Sequence, residues 1–162
     1  MIRVLFVCLG NICRSPMAES VFNGLVRQEG LADQIESDSA GTSDYHIGEL
    51  PDPRTMEIVN KYGLVSNHRG QQFNVSDFTD FNYIVAMDGK NLANIKLLLP
   101  SGDGKDQVFL MRNFDDQGQG EDVPDPYWSG VDGFENVYQL LLRSCKNFLT
   151  FLKEKHPSLK PQ

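Results

Sequence analysis

Apolar residues along this chain fall into two alternating patterns, short continuous runs and longer stretches at helical spacing. The first run, residues 2–7, is β-branched and aromatic with almost no polar alternation, which is typical of a strand buried on both faces of a parallel sheet. Further strand-like runs span residues 35–39, 83–87 and 107–111. Helical spacing of apolar residues begins after Ser15-Pro16 and returns at residues 54–62, 91–99 and 134–152.

This alternation of strands and helices predicts an α/β fold, a three-layer αβα sandwich with a four-stranded parallel sheet covered on both faces. In such sheets ligands bind outside the carboxyl ends of the strands. The chain has 162 residues, 40% of them hydrophobic and 23% charged, with no visible repeat or linker. We therefore expect a single domain over residues 1–156 and a frayed C-terminal tail over residues 157–162.

One segment, Cys8-Leu9-Gly10-Asn11-Ile12-Cys13-Arg14-Ser15, separates the first strand from the first helix, and we call residues 8–15 the anion loop. Successive backbone N–H groups in such a loop can converge on one point, and the helix N-terminus adds about half a positive charge there. Gly10 permits positive φ and Asn11 tolerates a left-handed conformation, so the chain can curl tightly. The pattern predicts a site for a tetrahedral oxyanion, bound by Leu9, Gly10, Asn11, Ile12, Cys13 and Ser15.

Cys8 and Arg14 carry the candidate chemistry of the anion loop. The field of the loop stabilises a thiolate at Cys8, which makes this residue a candidate nucleophile. Arg14 offers a planar, permanently charged fork that matches two oxygens of a phosphate group. A lone cysteine at a strand end is more often a small buried hydrophobe, but the whole Cys-x5-Arg-Ser array at this junction favours catalysis. Cys13 leads to a second hypothesis, a reversible Cys8–Cys13 disulfide that shields the nucleophile from over-oxidation.

Residues 7–16, Val-Cys-Leu-Gly-Asn-Ile-Cys-Arg-Ser-Pro, resemble the signature of the low-molecular-weight protein tyrosine phosphatases almost residue for residue. Further segments resemble those of the family in the same order and at about the same spacing, at residues 38–42, 68–69, 86–88 and 123–127. The resemblance implies a flavodoxin-like topology with strand order 2-1-3-4. It also implies hydrolysis of tyrosine-phosphorylated proteins and small aryl phosphates through a phosphocysteine intermediate on Cys8.

Asp125 is the candidate general acid and base. When Cys8 attacks phosphorus, the ester oxygen leaves as an anion unless a proton arrives, so a carboxylic acid has to face the thiol across the pocket. The resemblance assigns this role to Asp125, and Pro124 and Pro126 stiffen its backbone on both sides. An Asp-Pro pair also occurs in ordinary turns. The implied catalytic residues are thus Cys8, Arg14 and Asp125, with no metal.

The resemblance also implies a network behind the anion loop. Asn11, Ser15, Ser39 and His68 match hydrogen-bonding positions of the family, with Asp88 orienting His68. The chemistry is sensible, because a tight loop needs side-chain partners for its remaining backbone groups.

Three aromatic residues are candidates for the walls of the pocket. Tyr45, Tyr127 and Trp128 would make it deep enough for a planar phenyl phosphate, while a short phosphoserine would not readily reach the thiol. Exposed aromatic residues also serve as simple loop packing. Ile12 stands where related arginine phosphatases carry threonine, and this difference favours phosphotyrosine as the predicted substrate.

Charge and composition limit the possible partners. A formal net charge of −7 argues against nucleic acid and anionic membranes. The three histidines have no paired-ligand spacing and no Cys-x2-Cys pair occurs, so we expect no metal and no cofactor. Residues 115–122 are acidic and glycine-rich, but position 126 is proline where a calcium loop needs glutamate, and we interpret the stretch as a solvated loop.

We further expect inhibition by phosphate-like oxyanions and a monomer or weak dimer. An odd count of three cysteines agrees with a reducing compartment, and no apolar run has the length of a secretory or membrane segment. The expected location is therefore cytoplasmic.

Four alternative functions remain open. An arsenate reductase on this scaffold needs a relay of further cysteines, and none lies between Cys13 and Cys145. A protein-arginine phosphatase would share the loop. A phosphocysteine carrier of a sugar transport system would have no use for an acid at Asp125. A non-enzymatic flavodoxin-like module would bind a flavin phosphate and would be coloured when purified.

Overall fold

The computed structural model describes residues 1–100 and 106–162 and contains a four-stranded sheet flanked by helices. The strands are β1 (Ile2–Cys8), β2 (Ile35–Gly41), β3 (Tyr83–Ala86) and β4 (Val108–Leu110). The helices are α1 (Arg14–Gln28), α2 (Pro53–Lys61), α3 (Asp77–Asp80), α4 (Gly89–Leu97) and α5 (Val131–Lys155). Every strand pair is parallel and the order is β2-β1-β3-β4, which confirms the strand order implied by the resemblance.

Strand β1 lies at the centre of the sheet and contributes to both cores. Its residues Val4 and Phe6 pack with α1 and α5, and Leu5 and Val7 pack with the cluster that includes Ile95 of α4. Alternate side chains of a strand point to opposite faces, so a fully apolar β1 requires cover on both sides. The two clusters supply this cover and confirm the three-layer αβα architecture.

Local sequence explains where two of the helices begin. Asp52 caps α2 by accepting a hydrogen bond from Arg54 N at 2.8 Å, and Pro53 occupies the first turn, where its missing N–H costs nothing. Asp88 caps α4 in the same way by accepting from Asn91 N at 2.8 Å. Both caps lie at the edge of the sheet where the strands end.

Two short elements were not predicted, namely α3 and a single 3₁₀ turn at Met111–Phe114. Neither is long enough to show a hydrophobic period. The prediction of a solvated loop over residues 115–122 is wrong at its start, because Asp115 is only 1% exposed. Composition could not reveal this burial, since the charge of Asp115 is paired with arginines distant in sequence or one turn away.

The C-terminal segment differs from the frayed tail that its composition suggests. Gln34 Nε2 donates to Lys160 O at 2.6 Å, and Gln162 N donates to Gly30 O at 2.9 Å. His156 Nε2 lies 2.7 Å from the Tyr83 hydroxyl. The first two contacts hold the segment against the connection between α1 and β2, and the third holds the end of α5 against β3. No helix within the described residues is long and apolar enough to span a membrane.

Candidate active site

The anion loop leaves the carboxyl end of β1 and enters α1 at Arg14. Asn11 adopts a positive φ of 59°, the left-handed conformation expected for a tight curl. Gly41 pairs with Cys8 in the neighbouring strand, and a Cβ atom on Gly41 would lie 2.7 Å from Leu9 O. The tight curl of the loop therefore requires a residue without a side chain at position 41.

Carbonyl groups of the anion loop are bound on its outer side. Their donors are Ser43 N to Leu9 O at 3.0 Å, Asp52 N to Ile12 O at 2.8 Å, and Thr55 Oγ1 to Cys13 O at 3.3 Å. In a trans peptide the N–H points opposite to the carbonyl. The N–H groups that follow these carbonyls therefore point away from the outer partners, as a site for an anion requires.

The Cys8 sulfur lies at the floor of this curl with two hydrogen-bond partners. Asn11 N donates to Cys8 Sγ at 3.3 Å, and Ser15 Oγ lies 2.9 Å from the same atom. Both groups can donate a hydrogen bond to a sulfur anion. Burial, followed by the charges of Asp52 and Cys8, raises the pKa of Cys13 to about 12, so this second thiol of the loop is held neutral.

Arg14 is 4% exposed and joins the anion loop to two other loops. Its Nη1 donates to Asp88 Oδ2 at 2.7 Å and to Val123 O at 3.1 Å, and its Nη2 lies 4.0 Å from Asp125 Oδ2. Burial opposes the charge on Arg14, but Cys8 and Asp88 raise its pKa above the ordinary value. The guanidinium is thus fixed and charged between the thiol and the carboxylate of Asp125.

The expectation that Asp88 orients His68 is wrong. Asp88 binds Arg14 and caps α4, while His68 binds other residues behind the loop. The Arg14–Asp88 pair could not be seen in the sequence, since the two residues are far apart along the chain. They meet because Asp88 follows β3, which lies beside β1 in the sheet.

Asn11 links the anion loop to the residues behind it. Its Nδ2 donates to Ser15 Oγ at 2.8 Å and to Ser39 Oγ at 3.1 Å, and its Oδ1 lies 2.6 Å from His68 Nε2. Gln71 N also donates to Asn11 Oδ1, at 3.0 Å. The structure therefore brings together the four residues of the expected network and adds Gln71, which the sequence did not single out.

His68 is held by two carboxylates that the sequence analysis did not assign. Its Nδ1 lies 3.1 Å from Glu19 Oε1 and 3.5 Å from Asp38 Oδ1. Burial opposes protonation, but the hydrogen bonds with Asp38 and Glu19 raise the pKa of His68 to about 9. These side chains also offer ligand atoms within 4.8 Å of one another, a grouping that histidine spacing cannot reveal. The imidazolium is an ion-paired support for Asn11.

We expect the free energy of unfolding to fall by up to about 3 kcal/mol between pH 6.5 and pH 9 through His68. A pKa raised in the folded state stabilises fully below the unfolded value of 6.5 and ceases to do so above about 9. Urea unfolding followed by circular dichroism at several pH values would measure this slope. His68→Gln should flatten this slope, whereas His156→Gln, at the part-buried contact with Tyr83, should leave it unchanged. Equal slopes in all three proteins would contradict the assignment.

A cavity of about 280 Å³ opens above the anion loop. It is lined by residues 8–14 of the loop and by Tyr45, His46, Asp125, Tyr127 and Trp128, so the expected wall residues all border it. Ser15, expected among the anion-binding residues, is fully buried and lies outside this lining. His46 was missed, and its ring packs 3.1 Å from where a Cβ of Gly10 would lie.

Asp125 stands at the rim of the cavity, and its side chain is 48% exposed. Its Oδ1 accepts a hydrogen bond from Tyr127 N at 3.0 Å, which fixes the carboxylate within its own turn. Arg54, also missed from the sequence, lies 5.6 Å from the Tyr127 ring centroid and donates to Ser129 O at 3.0 Å. The acid and two of the three wall residues, Tyr127 and Trp128, are therefore on one supported turn.

Comparison with known proteins finds close relatives over nearly the whole chain. A family model described as low molecular weight phosphotyrosine protein phosphatase matches residues 3–158. The low molecular weight phosphotyrosine protein phosphatase of Schizosaccharomyces pombe is 46% identical over 149 residues, covering 91% of this chain and 95% of the relative. A protein tyrosine phosphatase from Entamoeba histolytica, solved with Hepes in its active site, superposes with a TM-score of 0.91 at 36% identity, covering 96% of this chain and 99% of the other. A Drosophila arginine phosphatase superposes with a TM-score of 0.86 at 35% identity, covering 94% and 98%.

Proposed function

Because the chain belongs to the low molecular weight phosphotyrosine protein phosphatase family, and is a cysteine-dependent protein tyrosine phosphatase, we propose that Cys8, Arg14 and Asp125 carry out its reaction. The single observation that carries this proposal is their arrangement around one cavity. Cys8 lies at the floor, Asp125 stands at the rim, and the guanidinium of Arg14 lies 4.0 Å from the carboxylate.

In the first step the Cys8 thiolate attacks the phosphorus of phosphotyrosine or of a small aryl phosphate. The S–P bond forms as the P–O bond to the phenol breaks, and Asp125 gives its proton to the departing oxygen. The products are phosphocysteine, the free phenol and the Asp125 carboxylate.

In the second step water attacks the phosphocysteine. Asp125 takes a proton from the water as the S–P bond breaks, which releases orthophosphate and regenerates the Cys8 thiolate. Ser15 Oγ and Asn11 N lie within 3.3 Å of the sulfur and stabilise it as a leaving group. No step requires a metal or a cofactor.

The three non-bridging oxygens of the phosphoryl group are bound by Arg14 and by the N–H groups of the anion loop. Three carbonyls of this loop, those of Leu9, Ile12 and Cys13, are already bound on the outer side, so the N–H groups that follow them are oriented before a substrate arrives. Preorganised donors stabilise the charge that spreads over these oxygens in both transition states. For the same reason we propose inhibition by phosphate-like oxyanions such as vanadate.

The aromatic and apolar lining of the cavity favours a phenyl phosphate. Tyr45 and Tyr127 border it above the anion loop, and Ile12 adds an apolar side chain to its lining. Cys145 is fully buried in the core, so it is not positioned as the further cysteine that an arsenate reductase would need. The arginine phosphatase remains the nearest alternative, given the likeness to the Drosophila protein.

A matched substrate panel tests this function. We expect a phosphotyrosine peptide to exceed the same peptide with phosphoserine by at least about 100-fold in kcat/KM, because the shorter side chain holds phosphorus away from Cys8. Activity should survive a chelator and be inhibited by vanadate. Phosphoarginine hydrolysis at an equal rate would favour the alternative, and activity lost with the chelator would contradict the mechanism.

We also propose a monomer or weak dimer in the cytoplasm. The location rests on the three cysteines, all of which are unpaired.

A further inference from the structure

A buried carboxylate lies between two arginines beside the loop that leads to the active site. Asp115 Oδ2 accepts from Arg112 Nε at 2.9 Å, and Asp115 Oδ1 accepts from Arg143 Nε at 2.8 Å. A second bond joins Arg143 Nη2 to Asp115 Oδ2 at 3.2 Å. Two positive charges thus hold one carboxylate whose side chain is fully buried, and they keep the pKa of Asp115 below its ordinary value although burial acts to raise it.

Arg112 makes contacts that Arg143 does not. Its Nη1 donates to Asp122 O at 3.0 Å, and its own carbonyl accepts from Gly120 N at 3.0 Å. A Cβ on Gly118 would lie 2.0 Å from Arg112 Nη2, so this segment follows the guanidinium closely. Arg112 therefore fixes both the Gly118–Gly120 turn and the backbone of Asp122 to the buried carboxylate.

The backbone after Asp122 enters the active site directly. Val123 N donates to Met87 O at 2.8 Å, and Val123 O accepts from Arg14 Nη1 at 3.1 Å. Asp125 follows two residues later, between two prolines that restrict the intervening backbone. A shift at Asp122 would therefore be transmitted to the carboxylate at the rim of the cavity.

We propose that Arg112 is a positioning residue for Asp125, because its bond to the Asp122 carbonyl anchors the segment that runs from Asp122 to Asp125. Arg143 binds the same buried carboxylate but makes no hydrogen bond or ion pair with residues 118–125 within the described part of the chain, so its part is to stabilise the fold. The inference rests on the proposed role of Asp125 as the general acid. It extends the site to a side chain outside the cavity.

The test compares Arg112→Gln with Arg143→Gln, each of which leaves Asp115 one arginine partner. The measurement is kcat/KM for 4-nitrophenyl phosphate, which has a good leaving group, and for phenyl phosphate, which has a poor one. This parameter reports the step in which the phenol leaves. A misplaced acid slows the reaction of the poor leaving group selectively. We therefore expect kcat/KM for 4-nitrophenyl phosphate divided by kcat/KM for phenyl phosphate to rise about tenfold in Arg112→Gln and to change less than about twofold in Arg143→Gln.

Gly118→Ala provides a second variant if Arg112→Gln fails to fold. The added methyl group displaces the guanidinium without removing a charge, and the ratio should rise in the same direction. Equal ratios in the parent, Arg112→Gln and Gly118→Ala would overturn the inference, as would an equal rise in Arg143→Gln. Asp125→Asn separates the two proposals: if it too leaves the ratio unchanged, the assignment of the general acid itself fails.

Discussion

Cys8→Ser is expected to lower kcat for 4-nitrophenyl phosphate by at least about 10⁴-fold, or about 5 kcal/mol of barrier. A serine hydroxyl needs a base to become a nucleophile. The groups that contact the sulfur are Ser15 Oγ and Asn11 N, and neither can accept a proton at neutral pH. The site is built to stabilise an anion at this position, not to create one from a neutral hydroxyl.

The matched control for Cys8→Ser is Cys145→Ala. Cys145 lies on the buried face of α5, away from the cavity. Turnover of Cys145→Ala should therefore stay within about twofold of the parent protein even if its stability falls. Calorimetry with vanadate should show that Cys8→Ser still binds an oxyanion, because Arg14 and the loop donors remain. Turnover above one per cent in Cys8→Ser would show that another group is the nucleophile.

Asp125→Ala is expected to reduce kcat/KM for phenyl phosphate by about 10² to 10⁴-fold, or about 3–5 kcal/mol. Phenolate is a poor leaving group and needs the proton that Asp125 supplies, whereas 4-nitrophenolate leaves with less assistance. The loss should therefore be several-fold smaller for 4-nitrophenyl phosphate.

Asp132→Ala serves as the control for Asp125→Ala. Asp132 is an exposed carboxylate in the first turn of α5, and its removal changes the net charge equally without touching the lining of the cavity. A loss under threefold with both leaving groups would reject Asp125 as the acid. A comparable loss in Asp132→Ala would point to charge and not to proton transfer.

Much of the fold follows from local sequence. The apolar run of β1 predicts a central strand, and Pro16 together with the helical spacing after it predicts α1 within two residues of its start at Arg14. The anion loop was predictable for the same reason, because its donors and its thiol come from one continuous segment. Its left-handed Asn11 is a local preference of that residue type.

The remaining features depend on contacts that the periodicity of a sequence does not encode. Asp88 meets Arg14 across 74 positions, and Arg143 meets Asp115 across 28. Which charged residue pairs with which is decided by strand order and helix packing, so an acidic stretch around Asp115 looks solvated when considered alone. Arg112 was missed for this reason.

Trp128 is the single tryptophan of the chain, and it is 91% exposed at the edge of the cavity. Its indole is surrounded by water in the native protein and would be again in an unfolded chain, so its emission is a poor measure of denaturation. All tryptophan fluorescence of the protein comes from this one position, where the ring centroids of Trp128 and Tyr127 are 4.9 Å apart. A spectroscopic titration of this protein therefore observes what arrives at the entrance.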